Sequence, residues 1–183
     1  MTRLITAISV ALLTLLLTAC GAKTYTGSEK QVMLNRVEET IDAFKRQDPS
    51  LASWFTDAYG YAVFPTIGKG AIGVGGAHGD GVVFSQNEPI GATAMSQATI
   101  GLQLGGQAYS ELIFFRTKAD LDDFTDGNFE FSAQASAVAA SAGAGANADY
   151  EKGVAVFTMG EKGLMFEASL GGQKFSYKPF TEE

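Results

Sequence analysis

The chain has 183 residues, of which 46% are apolar and 18% charged, and this composition predicts one folded domain rather than a disordered chain. The single cysteine and single histidine exclude an internal disulfide framework and zinc sites built on several cysteines or imidazoles. The formal net charge of −7 argues against a general nucleic-acid-binding protein, because such a protein needs a basic face to displace counterions.

The N-terminus predicts a lipoprotein signal peptide over residues 1–19. A short basic start at Arg3 precedes an uncharged run of sixteen residues, Leu4–Ala19. As a helix, this run would rise about 24 Å, which is short of the roughly 30 Å hydrocarbon core and is typical of a signal-peptide apolar region. The run ends in Leu17-Thr18-Ala19-Cys20, which resembles the bacterial lipobox.

A lipobox implies that Cys20 carries a thioether-linked diacylglycerol and an N-terminal acyl chain such as palmitate, and that no other cofactor is needed. Several acyl chains make a stable membrane anchor, because each buried CH₂ contributes about 0.8 kcal/mol. Gly21 follows Cys20 in place of the aspartate that favours inner-membrane retention, so we expect the periplasmic face of the outer membrane. The alternative is an ordinary secretory signal that ends at a cysteine by chance.

Residues 20–27 are then the lipidated cysteine and a polar tether, and residues 28–183 form the domain. Ser28 and Gln31 fit a capping box that opens an amphipathic helix of about 17 residues. Asp48-Pro49 predicts the N-cap and first residue of a second short helix, which ends by Gly60.

Twenty of the 22 glycines lie at or after residue 60, where the pattern changes to short strands. A hairpin turn is predicted at His78–Gly81, because Asp-Gly suits a type I′ turn, and a short helix is predicted from Thr117 to Gly127. Residues 139–148 are nearly all small and fit either a closely packed strand or a flexible loop. The predicted strands are Tyr61–Phe64 (ending at Pro65), Ala71–Ala77, Val82–Phe84, Thr99–Gln107, the buried run Leu112–Phe115, Phe129–Ala137, two turns of a meander that begin at Glu151 and Glu161, and Lys174–Lys178.

These elements together predict an α+β fold. N-terminal helices pack on a glycine-rich, mainly antiparallel sheet, which is curled or closed into a barrel. Glycine within strands marks bends, bulges or close approach of two backbones.

None of the chemical motifs predicts a catalytic or metal site. Gly68–Gly73 reads G-x-G-x-x-G. A dinucleotide-binding fold requires a helix directly after this motif, and no helical pattern follows it here. An EF-hand loop beginning at Asp122 would place Phe124 and Ala133 at ligand positions, and because neither side chain carries an oxygen, this interpretation fails. His78 has no second imidazole, and the chain has no G-x-S-x-G. A non-enzymatic protein is therefore expected.

A few residues are candidates for contact with lipid. Arg36, Lys45 and Arg46 give the first helix a basic edge near the anchor, which fits either anionic headgroups or a merely solvated face. Trp54 fits either a membrane-seeking aromatic or, with more weight, a core residue that packs a helix onto the sheet.

Three blocks of the chain resemble the SYLF domain family and occur in the family's order. The resemblance covers about residues 32–177, and eukaryotic members of that family bind phosphoinositides or actin, whereas bacterial members are often lipoproteins. The resemblance implies a lipid-binding module rather than an enzyme, with Lys69 as a headgroup contact. The blocks are Gly60–Pro65 with Lys69 and Gly73–Gly81, then Ala98–Gln107 with Ser110–Phe115, and finally Phe129–Ala146 with Tyr150.

The sequence therefore predicts an outer-membrane-anchored periplasmic lipoprotein that binds membrane phospholipid or a hydrophobic ligand and no nucleic acid. The alternative is a structural envelope protein that docks a protein partner, which the sequence does not identify, and has no lipid ligand beyond its anchor.

Overall fold

A computed structural model describes residues 21–72, 74–100, 105–127, 129, 131, 137–160 and 170–181. The predicted signal peptide and Cys20 lie outside the described residues. So do the second turn of the predicted meander, from Glu161, and most of the predicted strand Phe129–Ala137. Of that strand, Phe129, Phe131 and Ala137 are described, and none of them is in a strand.

From residue 21 onward, the described part of the chain has two helices before the sheet. Helix α1 (Gly27–Gln47) begins two residues before the predicted start, because Thr26 rather than Ser28 is the N-cap and its backbone N–H and hydroxyl both donate to Glu29. Helix α2 (Leu51–Asp57) begins after Ser50 instead of at the predicted Asp48-Pro49. Asp48 is fully buried, and its carboxylate accepts hydrogen bonds from Ser50 and from two later backbone N–H groups.

The described residues form seven strands of one sheet, in the order β5-β6-β4-β1-β2-β3-β7. All of these pairs are antiparallel except β5 with β6. In the same ranges two further helices lie between the strands. In chain order the elements are β1 (Gly60–Ile72), β2 (Val74–Ser85), β3 (Glu88–Ile100), β4 (Gly105–Phe115), α3 (Lys118–Thr125), β5 (Val138–Ala139), α4 (Ala144–Asn147), β6 (Val154–Gly160) and β7 (Gln173–Pro179).

The sheet is strongly curled but open. Three strands separate β4 from β7 in the sheet, yet Gln173 of β7 donates to Glu111 of β4 at 3.1 Å. Across the described residues β5 and β7 are the two edges and do not pair with each other. The predicted α+β class with a curled antiparallel sheet is confirmed.

Each face of the sheet has its own core, because side chains alternate along every strand. Tyr61 and Val63 of β1 point to the face covered by α1 and α2, whereas Ala62 and Phe64 point to the concave face with α3. The run Leu112–Phe115 is completely buried on both faces, as predicted.

Two predicted strand ends are wrong, since β1 continues through Pro65 and β2 continues through His78–Gly81. Pro65 lies in a bulge, where the register with β2 shifts between Val63 and Thr66. Gly81 lies opposite this bulge, and a Cβ there would stand 2.5 Å from the Val63 carbonyl oxygen. The glycine therefore serves close backbone approach rather than a turn.

Other predictions met mixed outcomes. Thr99 lies in β3, which ends at Ile100, and Gln107 lies in β4, so a single strand from Thr99 to Gln107 is wrong, although residues 101–104 lie outside the described residues. The helix opened by Thr117 and the last strand Lys174–Lys178 are confirmed as α3 and β7. Residues 139–148 are mainly a loop that includes the short α4, and Gly145 packs against α2 too closely for a Cβ.

Within the part of the chain that is described, no helix has the length and apolar character needed to cross a membrane.

Candidate functional site

A cavity of about 400 Å³ lies where the first described residues cross the start of α1 and the bulge of β1. We call it the N-terminal pocket. Three parts of the chain build it: the segment from Lys23 to Tyr25, the first turns of α1, and the β1 bulge with the facing residue of β2.

The segment that precedes α1, which the sequence predicts to be part of a polar tether, contacts the domain. The Lys23 ammonium donates to the Asp80 carboxylate of β2, and the Lys178 ammonium of β7 donates to the Thr24 hydroxyl. Tyr25 is half-buried against the core under α1. These residues therefore form one wall of the pocket.

Helix α1 supplies the apolar wall and a cation. Val32 and Met33 both line the pocket, and Val32 is 55% exposed although it is aliphatic. Arg36 lies one turn further along and also lines the cavity. Among the described residues, the Arg36 guanidinium makes no ion pair. A site of this kind suits an amphiphile, because an apolar body and an anionic group each find a partner there.

The bulge of β1 forms the third side of the pocket. Pro65 and Thr66 line it, and the Pro65 carbonyl accepts a hydrogen bond of 2.7 Å from the Ser110 hydroxyl of β4. That bond satisfies a carbonyl at the interruption of the strand ladder. Asp80, which pairs with Thr66 across the two strands, closes this side.

Local interactions perturb the pKa values around the pocket. The hydrogen bond and charge of Asp80 raise the pKa of the Lys23 ammonium. Burial raises the pKa of the Tyr25 phenol, and hydrogen bonds from Thr26 lower the pKa of Glu29. The cationic side chains that line the pocket are Lys23, which is paired with Asp80, and Arg36.

The described residues that line the pocket include no histidine or cysteine. His78 lies beside Asp80 at 3.8 Å between Nε2 and Oδ1, and a side chain pair at this distance is an ion pair only when the imidazole is protonated. Within the described ranges no three His, Cys, Asp or Glu residues cluster to hold a metal.

A second cavity, of about 210 Å³, adjoins the first on the other side of Lys23–Tyr25. Lys30 of α1 and Lys178 of β7 line it, together with Phe180. The Lys30 ammonium lies 4.3 Å from the centre of the Phe180 ring, a cation–π distance. Positive side chains therefore continue around the docked segment.

The structure brings one predicted lipid contact, Arg36, into this site and leaves the others elsewhere. Lys45 lies at the far end of α1 with its ammonium 4.5 Å from the centre of the Phe55 ring, and Arg46 is exposed beside it. Lys69 lies in β1 opposite Ala77. Trp54 is 9% exposed, packs against Phe114, Tyr150 and Phe157, and donates its indole N–H to the Gly145 carbonyl.

Sequence reasoning missed Lys23, Tyr25 and Asp80. The sequence predicts a polar tether for Lys23 and Tyr25 and a hairpin turn for Asp80. The signal that joins them is not local, since 57 residues separate Lys23 from Asp80. A wrongly placed turn at His78–Gly81 also concealed the fact that Asp80 belongs to a central strand.

Comparison with known proteins gave two matches. Residues 96–179 match a family model described as "Ysc84: Las17-binding protein actin regulator". Over 155 residues the chain is 34% identical to "Beta cell expansion factor A" from Aeromonas veronii, an alignment that covers 82% of this chain. The chain spans 58% of the length of that relative.

Proposed function

Because the chain belongs to the SYLF family, whose model carries the name Ysc84, we propose that it is a lipid-anchored envelope protein whose domain binds phospholipid or another hydrophobic ligand. SYLF domains are in general non-enzymatic binding domains, and we extend this property to the present chain. The proposed anchor is the acylated Cys20, and the proposed location is the periplasmic face of the outer membrane.

One observation carries the proposal: the N-terminal pocket combines an exposed aliphatic wall with a cation that has no ion-pair partner among the described residues. Val32 provides the wall and Arg36 the cation. Phospholipids present both an apolar body and a phosphate, so the pocket can hold the two parts of one molecule. Its position, beginning at Lys23, also places it next to the proposed anchor.

Vesicle flotation tests the proposal without the anchor. Residues 20–183 with Cys20→Ala, secreted from an ordinary cleavable signal, carry no acyl chain. We expect this protein to float with vesicles of phosphatidylethanolamine and phosphatidylglycerol. Val32→Asp puts a carboxylate on the apolar wall and is expected to weaken binding by about tenfold, because burying a charge in an apolar site is costly.

Val138→Asp is the matched control. Val138 is the other large hydrophobic residue that is exposed among the described residues, at 37%, and it lies on β5 outside the pocket. Its substitution should leave flotation unchanged. Failure of the unacylated protein to bind any bacterial phospholipid would rule out the lipid-binding proposal.

The description of the matching family names protein binding, which favours partner docking as a second candidate. In that case the domain has no lipid ligand beyond its anchor. Chemical crosslinking of the acylated protein in its membrane, followed by purification, distinguishes the two candidates. One stoichiometric protein partner without co-purified lipid would support docking.

A further inference from the structure

We infer that the domain is held on the bilayer in a single orientation, with the N-terminal pocket facing the phospholipid surface. The inference rests on the proposed acylation of Cys20. It goes beyond lipid binding because it states which face of the molecule meets the membrane and why the domain does not swing freely on its anchor.

The residues that follow the anchor are fastened one after another. Lys23 is paired with Asp80 of β2, and Thr24 accepts a hydrogen bond from Lys178 of β7. Tyr25 packs on the core, and Thr26 donates to Glu29 of α1. Four consecutive residues thus contact different parts of the domain, and their combined contacts fix the direction in which the chain leaves it.

The distance from the anchor to the first fastened residue is short. Only Gly21 and Ala22 separate Cys20 from Lys23, and three residue steps span at most about 11 Å. The headgroup layer of one leaflet is about 5–7 Å thick. Acyl chains on Cys20 would therefore hold Lys23 within the headgroups or directly above them, and the surface around Lys23 would lie against the bilayer.

The charge of this surface suits a phospholipid bilayer. The chain as a whole has a formal net charge of −7, yet cations outnumber acids around the two adjoining cavities. The acids are Glu29 and Asp80, and the pair of Asp80 with Lys23 contributes no net charge, so Glu29 faces three cations that make no ion pair among the described residues. The cations are Lys23, Lys30, Arg36 and Lys178. Anionic lipids attract such a cluster at short range.

Helix α3 provides the opposite reference point. It packs on the concave face of the sheet through Leu121 and Phe124, whereas α1 packs on the other face. Its exposed side carries Asp123 and Asp126, which anionic headgroups repel. In the inferred orientation α3 lies away from the membrane and remains in water.

Fluorescent labels on the two faces test the orientation. Val32→Cys on α1 and Ala119→Cys on α3 are labelled with an environment-sensitive dye, since acylation blocks the thiol of Cys20. Each acylated protein is reconstituted into vesicles of phosphatidylethanolamine and phosphatidylglycerol. We expect blue-shifted emission and at least severalfold protection from an aqueous quencher at residue 32, and neither effect at residue 119.

A charge variant supplies the second readout. Arg36→Gln with Lys30→Gln should reduce the protection at residue 32 while the protein stays on the vesicles through its acyl chains. Arg116→Gln, an exposed cation outside both cavities, is the control and should change neither measurement.

The outcomes separate the inference from its premise. Equal quenching of the two labels on retained protein, or protection at residue 119 instead of 32, would overturn the orientation alone. Protein that is not retained on vesicles at all would remove the acyl anchor, and the orientation would fall with it.

Discussion

Glu111 is a carboxylic acid in a position that offers it few hydrogen bonds. Its side chain is completely buried on the concave face of the sheet, and one of its oxygens accepts a hydrogen bond from Gln173. Among the described residues its other oxygen has no hydrogen-bond partner, and neither does the hydroxyl of Thr158, directly across on β6, nor the amide oxygen of Gln173. Burial raises the pKa of Glu111 to about 7, and the Gln173 hydrogen bond offsets only part of this effect.

This pKa makes the free energy of unfolding depend on pH. The ordinary value is 4.5, so the unfolded chain loses this proton first as the pH rises. The raised pKa of Glu111 therefore contributes to the free energy of unfolding in full below about pH 4.5. This contribution of about 3 kcal/mol is lost progressively as the pH rises to about 7. Glu111→Gln preserves the size of the side chain and replaces the carboxyl group with an amide that stays neutral. We therefore expect the variant not to lose this free energy of unfolding as the pH rises.

Urea unfolding at about pH 5 and pH 8 measures the difference. Glu111→Gln should resemble the parent protein at the lower pH and exceed its free energy of unfolding by about 2–3 kcal/mol at the higher pH. Glu38→Gln, an exposed carboxylate of α1, is the control and should follow the parent at both. Parallel pH dependence of the parent protein and Glu111→Gln would contradict the assignment.

Asp48 is the opposite case, a buried carboxylate that is well satisfied. Burial raises its pKa, but hydrogen bonds from Ser50, Gly145 and Gly143 together outweigh that effect and lower it. One side chain thus joins the α1–α2 turn to the loop around α4, 95 residues or more further along. The contrast with Glu111 follows from the number of donors, because each buried carboxylate oxygen requires its own.

At the scale of elements, the bulge of β1 determines both the course of β2 and the shape of the pocket. Pro65 has no N–H for the ladder, and the register shift that accommodates it brings the backbones of the two strands unusually close. Glycine is required at position 81 by this close approach, since a Cβ added there would also stand 2.8 Å from the Phe64 ring. The bulge in turn places Pro65 and Thr66 at the cavity wall.

Alanine substitutions distinguish close approach from simple flexibility. Gly81→Ala is expected to lower the free energy of unfolding by about 1–3 kcal/mol, because the new methyl group would contact the Val63 carbonyl and the Phe64 ring. In Gly70→Ala of β1 the new Cβ has no described residue within 4 Å, so the substitution should be neutral or stabilising by up to about 1 kcal/mol. Denaturant midpoints compare the two, and equal losses would show that contact at the bulge is unimportant.

Sequence periodicity predicts those elements whose signals are local. The cap at Thr117, the apolar run Leu112–Phe115 and the alternation after Gly60 all depend on neighbouring residues, and α3, β4 and the sheet formed where they were expected. Periodicity failed at Pro65 and at Asp80-Gly81, where a turn signal and a bulge signal use the same residues. Only the facing strand, far along the chain, distinguishes the two.

The candidate site was less predictable than the fold for a related reason. Arg36 could be singled out because its charge lies on a predicted helix close to the predicted anchor, and both predictions come from the sequence alone. Lys23 contacts Asp80, 57 positions further along the chain, and Thr24 contacts Lys178, 154 positions further along. No local sequence pattern around these residues predicts either contact. Pockets of this kind depend on tertiary structure.

In the molecule as a whole, the curled sheet separates the N-terminal pocket on one side from an aromatic core on the other. Its convex side carries α1, the docked N-terminal segment and the pocket, and its concave side encloses a core that includes Phe64, Phe124 and Phe175. Ring centroids 5.8 Å and 4.9 Å apart link Phe175 of β7 with Phe64 and Phe124. The aromatic interior holds β7 in place, and β7 supplies Lys178 to the docked segment.

Attachment of the whole molecule to the membrane is expected to depend on Cys20 rather than on surface charge. An acyl chain contributes about 0.8 kcal/mol per buried CH₂, so several chains exceed any contribution from the few cations around the pocket. At about 1 M salt the Debye length is only about 3 Å, and electrostatic attachment is largely screened. The parent protein should therefore stay with the outer-membrane fraction after a high-salt wash. With Cys20→Ala behind an ordinary cleavable signal, the protein should appear in the salt-washed periplasmic extract, as immunoblots of the fractions would show. Release of the parent protein by salt would contradict the acyl anchor, whereas retention of the Cys20→Ala protein through the wash would show that the domain itself holds the membrane by apolar contact.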